Sequence, residues 1–515
     1  MPISKSELLN RLILSLTKAE KRNFRLYARK IQQEGELKFL SLFDLLEKNG
    51  DIDENSLLNK LEVKTQSQYS SLKRHLYQHL LTSLRLLYNQ RSLDIRIREL
   101  TDFATILYQK NLYLEALQLL NKSKQLARKS HKDHLHLEIV EFEKRIESRH
   151  ITRASTERIL DLIEEAQSRK QVINSVTELS NLKLGLQRHF INEGPAQNDE
   201  DKEEIQQFFQ ELAPPLNEQY LTFFEKVYLN QSYFWLYYCR LDFESCLRYA
   251  NEWVQLFQAE PAMINKDLEI YLKGLHYRSL ISFCLRDGGT FLDAHTTLHA
   301  CADAADIIWS EIASIQHRLF LINGQVNRLL LFPLIEDVEQ QVHQILEKLA
   351  GIQDRLDPHK VMIIQYKIAH LYLRDGLIDK GIDYLNQILN HPGKHLRADL
   401  QIYTRLSLLM AHHDQHNDIV TDYLLNTTQR FFQKTQKISS TPLRILQLFK
   451  KITKLDPRRA KEEMQHCLED LNELAEKPYE RRAFVFLDIR PWLLSHLEQQ
   501  SIKEAILQLT PSGSN

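Results

Sequence analysis

The stretch LYQKNLYLEALQLLNKSKQLA, from Leu107 to Ala127, decides the fold. Its apolar residues recur at three- and four-residue spacing, as on helices that bury one face. Three other segments resemble it: LYYCRLDFESCLRYA from Leu236, FCLRDGGTFLDAHTTL from Phe283 and HLYLRDGLIDKGIDYLNQIL from His370. A small residue stands at the entry to the second helix of each segment, at Ala116, Cys246, Ala294 and Gly381. Two helices that cross closely need one there, because a larger side chain would hold them apart. Cys246 follows Ala116 by 130 residues and Gly381 follows Ala294 by 87, about three and two units of roughly 43. Weaker candidates fall near the expected places, at Leu160, Ile205, Ile419, Ala460 and Ala505.

The order of aromatic, acidic and small residues in these segments resembles the helical hairpin of the tetratricopeptide repeat. The resemblance covers roughly residues 95–509, with a period longer than the usual ~34 of that family, so longer helices or joints are expected. It implies an all-α fold: an α-solenoid of stacked hairpins whose concave groove takes a protein or peptide partner. By this alignment the groove-facing residues are Arg98, Thr105 and Tyr108; Tyr228, Gln231, Trp235 and Tyr238; His276, Ser279, Phe283 and Arg286; and Tyr366, His370 and Arg374. These mix aromatic and cationic types, as binding hot spots do. The asparagines and lysines of the family's two-carboxylate clamp are missing, so that specificity is not expected here.

Composition agrees with a helical chain. Glycine and proline number 13 each in 515 residues, little material for tight turns or phosphate-cradling loops. The N-terminal MPISKSELLNRLILSL is broken by Asn10, Arg11 and Ser15 and does not read as a signal peptide. The longest apolar run, Leu329 to Ile335, is far short of the ~20 residues of a membrane helix, so no membrane partner is expected. Five scattered cysteines without a CxxC pair argue against a disulfide framework or a zinc ribbon, and the cytoplasm is the expected compartment. No nucleotide-binding glycine loop, GxSxG elbow, HExxH helix or kinase signature is present, so no catalytic residue, enzyme activity or cofactor is expected. Two histidine groups, His295 with His299 and His412, His413, Asp414 with His416, have ligand-like spacing. Each offers only two ligands that could share a face, and no metal is expected.

Charge is segregated along the chain. Residues 1–100 hold 18 Lys and Arg against 12 Asp and Glu, about +6, within a total of −1. The sequence predicts a basic N-terminal helical domain over 1–95, a tetratricopeptide-like solenoid over 96–509 with a candidate hinge at 192–204, and a disordered tail at 510–515. In DENSLLNKLEVKTQSQYSSLKRHLYQHLL the order of short helix, polar turn and basic helix resembles a helix-turn-helix. This gives the alternative reading, a regulator that contacts nucleic acid through Lys18, Arg22, Arg25, Lys73 and Arg74. The favoured reading is a non-enzymatic scaffold, with the N-terminal bundle capping the array.

Overall fold

The structure is a computed structural model and describes residues 5–31, 38–48, 58, 60, 61, 63, 65–90, 92–153, 155–215, 221–305, 307–391, 398–435 and 438–509. Among these residues there are twenty-four α-helices and no strand, and sequence neighbours pack in pairs, an arrangement compatible with a helical repeat. Most of the short first helix of the helix-turn-helix-like stretch and the tail 510–515 lie outside the described residues. No helix among the described residues is long and apolar enough to cross a membrane.

The chain divides into two compact units, Met1–Ile173 and Asn174–Asn515. The first contains α1 (Lys5–Ser15), α2 (Lys18–Ile31), α3 (Lys38–Lys48), α4 (Gln66–Tyr88), α5 (Leu93–Gln109), α6 (Tyr113–Lys129) and α7 (Asp133–Arg149). The division falls within α8 (Thr156–Asn192). The two larger cores of this unit are separate. Phe24 and Ala28 on one face of α2 pack with Leu42 and Phe43 of α3 and Tyr69, Leu76 and Leu80 of α4. Ile97, Ala104, Ala116, Leu120 and Ile139 form the other, between α5, α6 and α7. Thr17 and Glu20 start α2 with a reciprocal cap: the Glu20 carboxylate accepts the Thr17 amide at 2.7 Å, and the Glu20 amide donates to the Thr17 hydroxyl at 3.3 Å.

The second unit continues with α9 (Asp199–Leu212), α10 (Phe223–Cys239), α11 (Phe243–Ala259), α12 (Leu268–Cys284), α13 (Gly288–Asp303), α14 (Glu311–Leu331), α15 (Val338–Ala350), α16 (Pro358–Arg374) and α17 (Ile378–Asn390). It ends with α18 (Ala398–Asp414), α19 (Asp418–Lys434), α20 (Ser440–Ile452), α21 (Pro457–Ala475), α22 (Arg481–Phe486), α23 (Arg490–Glu498) and α24 (Ile502–Leu509). The acidic run after Gly194 is not a long loop. Asn198 caps α9 by accepting the Asp201 amide, and Asp199, Glu200 and Asp201 sit in the first turn, where carboxylates oppose the positive helix end. Ala196 is buried and donates its amide to the Cys239 carbonyl at 2.8 Å, which ties the short joint 193–198 to α10.

One backbone device recurs at the hairpin turns. Asn111, Leu241, Arg286, Gly376 and His416 all have φ between 53° and 77°. The next residue donates its amide five positions back, as Leu112 to Leu107, Asp242 to Tyr237, Asp287 to Ser282, Leu377 to Tyr372 and Asn417 to His412. This closes each first helix in a Schellman turn. The turn fixes the register of the pair, because the second helix begins two residues after the left-handed one. Ala116, Cys246 and Gly381 occupy the fourth position of their helices, as expected, and all are buried. A Cβ on Gly381 would stand 2.7 Å from a Leu373 methyl carbon, so the close crossing requires glycine.

The alignment of the third hairpin needs correction. Its fourth residue is Phe291, and Ala294, though fully buried, lies almost one turn further on. The tetrapeptide Leu-Arg-Asp-Gly occurs at both turns but sits differently in each. In Leu373–Gly376 the left-handed residue is the glycine, whereas in Leu285–Gly288 it is Arg286. Asp287 there already caps α13, accepting the Thr290 amide at 3.0 Å.

Candidate partner-binding groove

The corrected register predicts which side chains of the second unit face a common space. Counting back six and three residues from the left-handed positions gives Trp235 and Tyr238 on α10, Leu280 and Phe283 on α12, and His370 and Leu373 on α16. All six line one cavity of about 1400 Å³, as does Met410, six residues before His416. Of the fourteen groove residues expected from sequence, Trp235, Tyr238, Phe283, Arg286, Tyr366, His370 and Arg374 line it. Leu280, Leu373 and Met410 were missed because they are apolar without an aromatic ring, and only the turn geometry marks them.

The remaining seven stand elsewhere. Tyr228 is half-buried beneath the Lys183 ammonium, 4.8 Å from the ring centre. Gln231 is buried, and so is Ser279 on the next hairpin. The His276 ring stacks on Phe320 at 4.0 Å, and burial drives its pKa down to about 3, so it stays neutral. Arg98, Thr105 and Tyr108 belong to the first unit, where Arg98 is exposed, Thr105 donates its hydroxyl to the Thr101 carbonyl at 2.9 Å and Tyr108 meets Phe142 edge to face.

The cavity is also lined by the chain's own segment Arg481–Trp492. Glu480 anchors its start, its carboxylate accepting the amides of Ser440 and Thr441 at 2.7 and 3.0 Å. Arg481 then pairs with Glu244 at 3.0 Å, and Arg482 with Asp399 at 2.7 Å. Tyr366 donates its hydroxyl to the Phe486 carbonyl at 3.0 Å. Asp488 accepts both Arg286, at 3.1 Å, and Arg490, at 2.8 Å. Arg374 is not free for a ligand: its guanidinium is buried and bonds the Leu329 carbonyl and Asp375.

Lys367 differs from these arginines. Among the described residues it forms no salt bridge; its ammonium donates to Asn327 Oδ1 at 2.7 Å and lies over the Phe283 ring. Burial lowers its pKa to about 8. Nearby Cys284 is pushed up to about 12 by burial and holds its proton at neutral pH. His370, lowered to about 4 by burial, meets the Ser407 hydroxyl at 3.0 Å. That serine is fully buried and donates to the Tyr403 carbonyl, so the pair fixes packing and offers no exposed nucleophile. The cavity can therefore hold apolar and aromatic groups, exchange hydrogen bonds with a polypeptide backbone and supply one uncompensated positive charge.

The candidate nucleic-acid contacts lie in the first unit and are unequal. Lys18, Arg22 and Arg74 are exposed. Arg25 is bound to Asp44 at 2.8 Å and to Glu47, and Lys73 lies over the Tyr69 ring at 4.3 Å. Neither Arg25 nor Lys73 presents an isolated charge to a phosphate. No protein-family model matches the chain, and no curated protein matches it.

Proposed function

We propose that the chain is a non-enzymatic scaffold of tetratricopeptide-like architecture, and that residues 174–515 bind a protein or peptide segment in the cavity lined by Trp235, Tyr238, Phe283 and Tyr366. The observation that carries this reading is the bond from the Tyr366 hydroxyl to the Phe486 carbonyl: a groove side chain already holds a stretch of polypeptide main chain. The rings around it supply rigid contact area at small entropic cost, the usual basis of hot spots. Trp235 and Tyr238 are only partly buried, and both reach the cavity. Selection of displayed peptides on the full-length chain tests the reading. Enriched sequences that lose at least tenfold in affinity for Phe283→Ala, with circular dichroism unchanged, support it. Failure to enrich any sequence, or equal affinity for the variant, contradicts it.

A further inference from the structure

The two-ligand histidine group at the end of α18 acquires a third member from far along the chain. His413 and Asp414 close α18, and α23 brings His496 against them. One donor atom from each of the three lies within 4.8 Å of the others. The His496 Nε2 to Asp414 Oδ1 distance is 3.0 Å, and His413 Nδ1 stands 3.8 Å from the same oxygen. A tetrahedral zinc ion with bonds of roughly 2.0–2.1 Å needs its donors about 3.3 Å apart, so small side-chain adjustments bring the three to a common centre.

Two deficits at this place point to a cation. His413 Nδ1 is buried and has no hydrogen-bond partner, an expensive state for a ring nitrogen. Asp414 is a half-buried carboxylate with no Lys or Arg partner among the described residues; its contacts are the two imidazoles and the Trp492 indole. One dication removes both, by accepting the Nδ1 lone pair and compensating the carboxylate. The outer shell is already in place. Trp492 Nε1 donates to both Asp414 oxygens, at 2.9 and 3.0 Å, and fixes the carboxylate plane. Solvent reaches the group through His496, which is the most exposed of the three.

We propose that His413, Asp414 and His496 form a binding site for a divalent transition-metal ion, zinc by the character of its donors, with water as the fourth ligand. Binding uses the lone pair of His496 Nε2, so the proton of that ring moves to Nδ1 and its present hydrogen bond to Asp414 is replaced by the metal. The ion joins α18 to α23 and so fastens the end of the segment that lines the cavity.

The test is calorimetric titration of the chelator-stripped full-length chain with zinc, beside His496→Gln and His496→Cys. Glutamine keeps a hydrogen-bond donor toward Asp414 but is a poor zinc ligand; cysteine restores a ligand. One tight equivalent per chain, weakened at least tenfold by His496→Gln and kept by His496→Cys, is the expected result. Zinc should also raise the thermal midpoint of the parent chain and not that of His496→Gln. Absence of a tight equivalent in the parent chain, or equal binding by the glutamine variant, overturns the site and shows a hydrogen-bonded lock between two helices.

Discussion

Two buried clusters of charge, one in each unit, are built on opposite principles. In residues 1–173, Lys124 is buried between Glu143 at 2.7 Å and Glu165 at 3.0 Å, His136 binds Glu165 at 2.8 Å, and Arg158 reaches Glu143 at 3.2 Å. Each charge has an opposite neighbour. In residues 174–515, Lys367 faces a large cavity with only a neutral asparagine oxygen and the Phe283 ring beside its ammonium. A closed network holds helices together, and removing one member leaves a buried charge unpaired; an open one is penalised in the free protein and relieved by a ligand.

The largest expected effect breaks the closed cluster. Glu143→Ala should cost about 3 kcal/mol, because buried Lys124 loses the nearer of its two carboxylates and keeps only Glu165, and Arg158 loses its 3.2 Å partner. Lys367→Met should leave stability unchanged or raise it, since an uncompensated cation is replaced by an apolar chain of similar length. Urea denaturation of both variants checks the contrast, and comparable losses would erase the distinction between the clusters.

Overpacking comes next. Ala294→Leu and Gly381→Ala should each destabilise by about 1–3 kcal/mol, the first by filling a fully buried site and the second by pressing on Leu373. An unchanged denaturation midpoint for Gly381→Ala would count against the turn register.

The pH response sharpens the same comparison with smaller effects. Glu165 is held at about 2, first by its hydrogen bond from His136 and then by Lys124, against an ordinary 4.5. Its folded pKa is depressed, so its contribution is complete above about pH 4.5 and is lost as pH falls toward 2. For Lys367 the folded pKa of about 8 lies below the ordinary 10.5, so the sign differs. Its penalty operates below about pH 8 and fades as pH rises from 8 to 10.5, where the unfolded chain holds more protons. The stability difference between the parent chain and Lys367→Met should therefore shrink over that alkaline window. A difference independent of pH there would remove Lys367 as the titrating group.

The smallest effect concerns nucleic acid. With Arg25 paired and Lys73 over an aromatic ring, duplex DNA and single-stranded RNA should bind weakly or not at all, even at low salt. Fluorescence anisotropy at several salt concentrations checks this; tight binding with a steep log-linear salt dependence would favour the nucleic-acid reading of the first unit.

The scarcity of glycine and proline and the three-to-four spacing made the helical fold legible, because both follow directly from backbone chemistry. The register was only half legible. Gly376 announces its turn, but Asn111, Leu241, Arg286 and His416 adopt the same left-handed conformation without glycine, and Leu-Arg-Asp-Gly straddles two turns differently. Trp235, Tyr238 and Phe283 were found because large aromatic side chains stand out at helical spacing. The covering segment Arg481–Trp492 was not, since its helices read as one more repeat and its ion pairs join residues hundreds of positions apart, as Arg481 with Glu244. His496 was missed for the same reason, being 82 residues beyond Asp414.

The central claim is that the cavity of residues 174–515 is a polypeptide-binding site built from that unit's own side chains. The most direct measurement is the affinity of one selected peptide for the full-length chain and for Trp235→Ala, Tyr238→Ala and Arg98→Ala. The cavity variants should each lose about 2 kcal/mol, roughly 30-fold in Kd, with native circular dichroism, while Arg98→Ala binds as the parent does. Equal affinity for Trp235→Ala and the parent chain, or a loss on Arg98→Ala as large as on Trp235→Ala, would contradict the account.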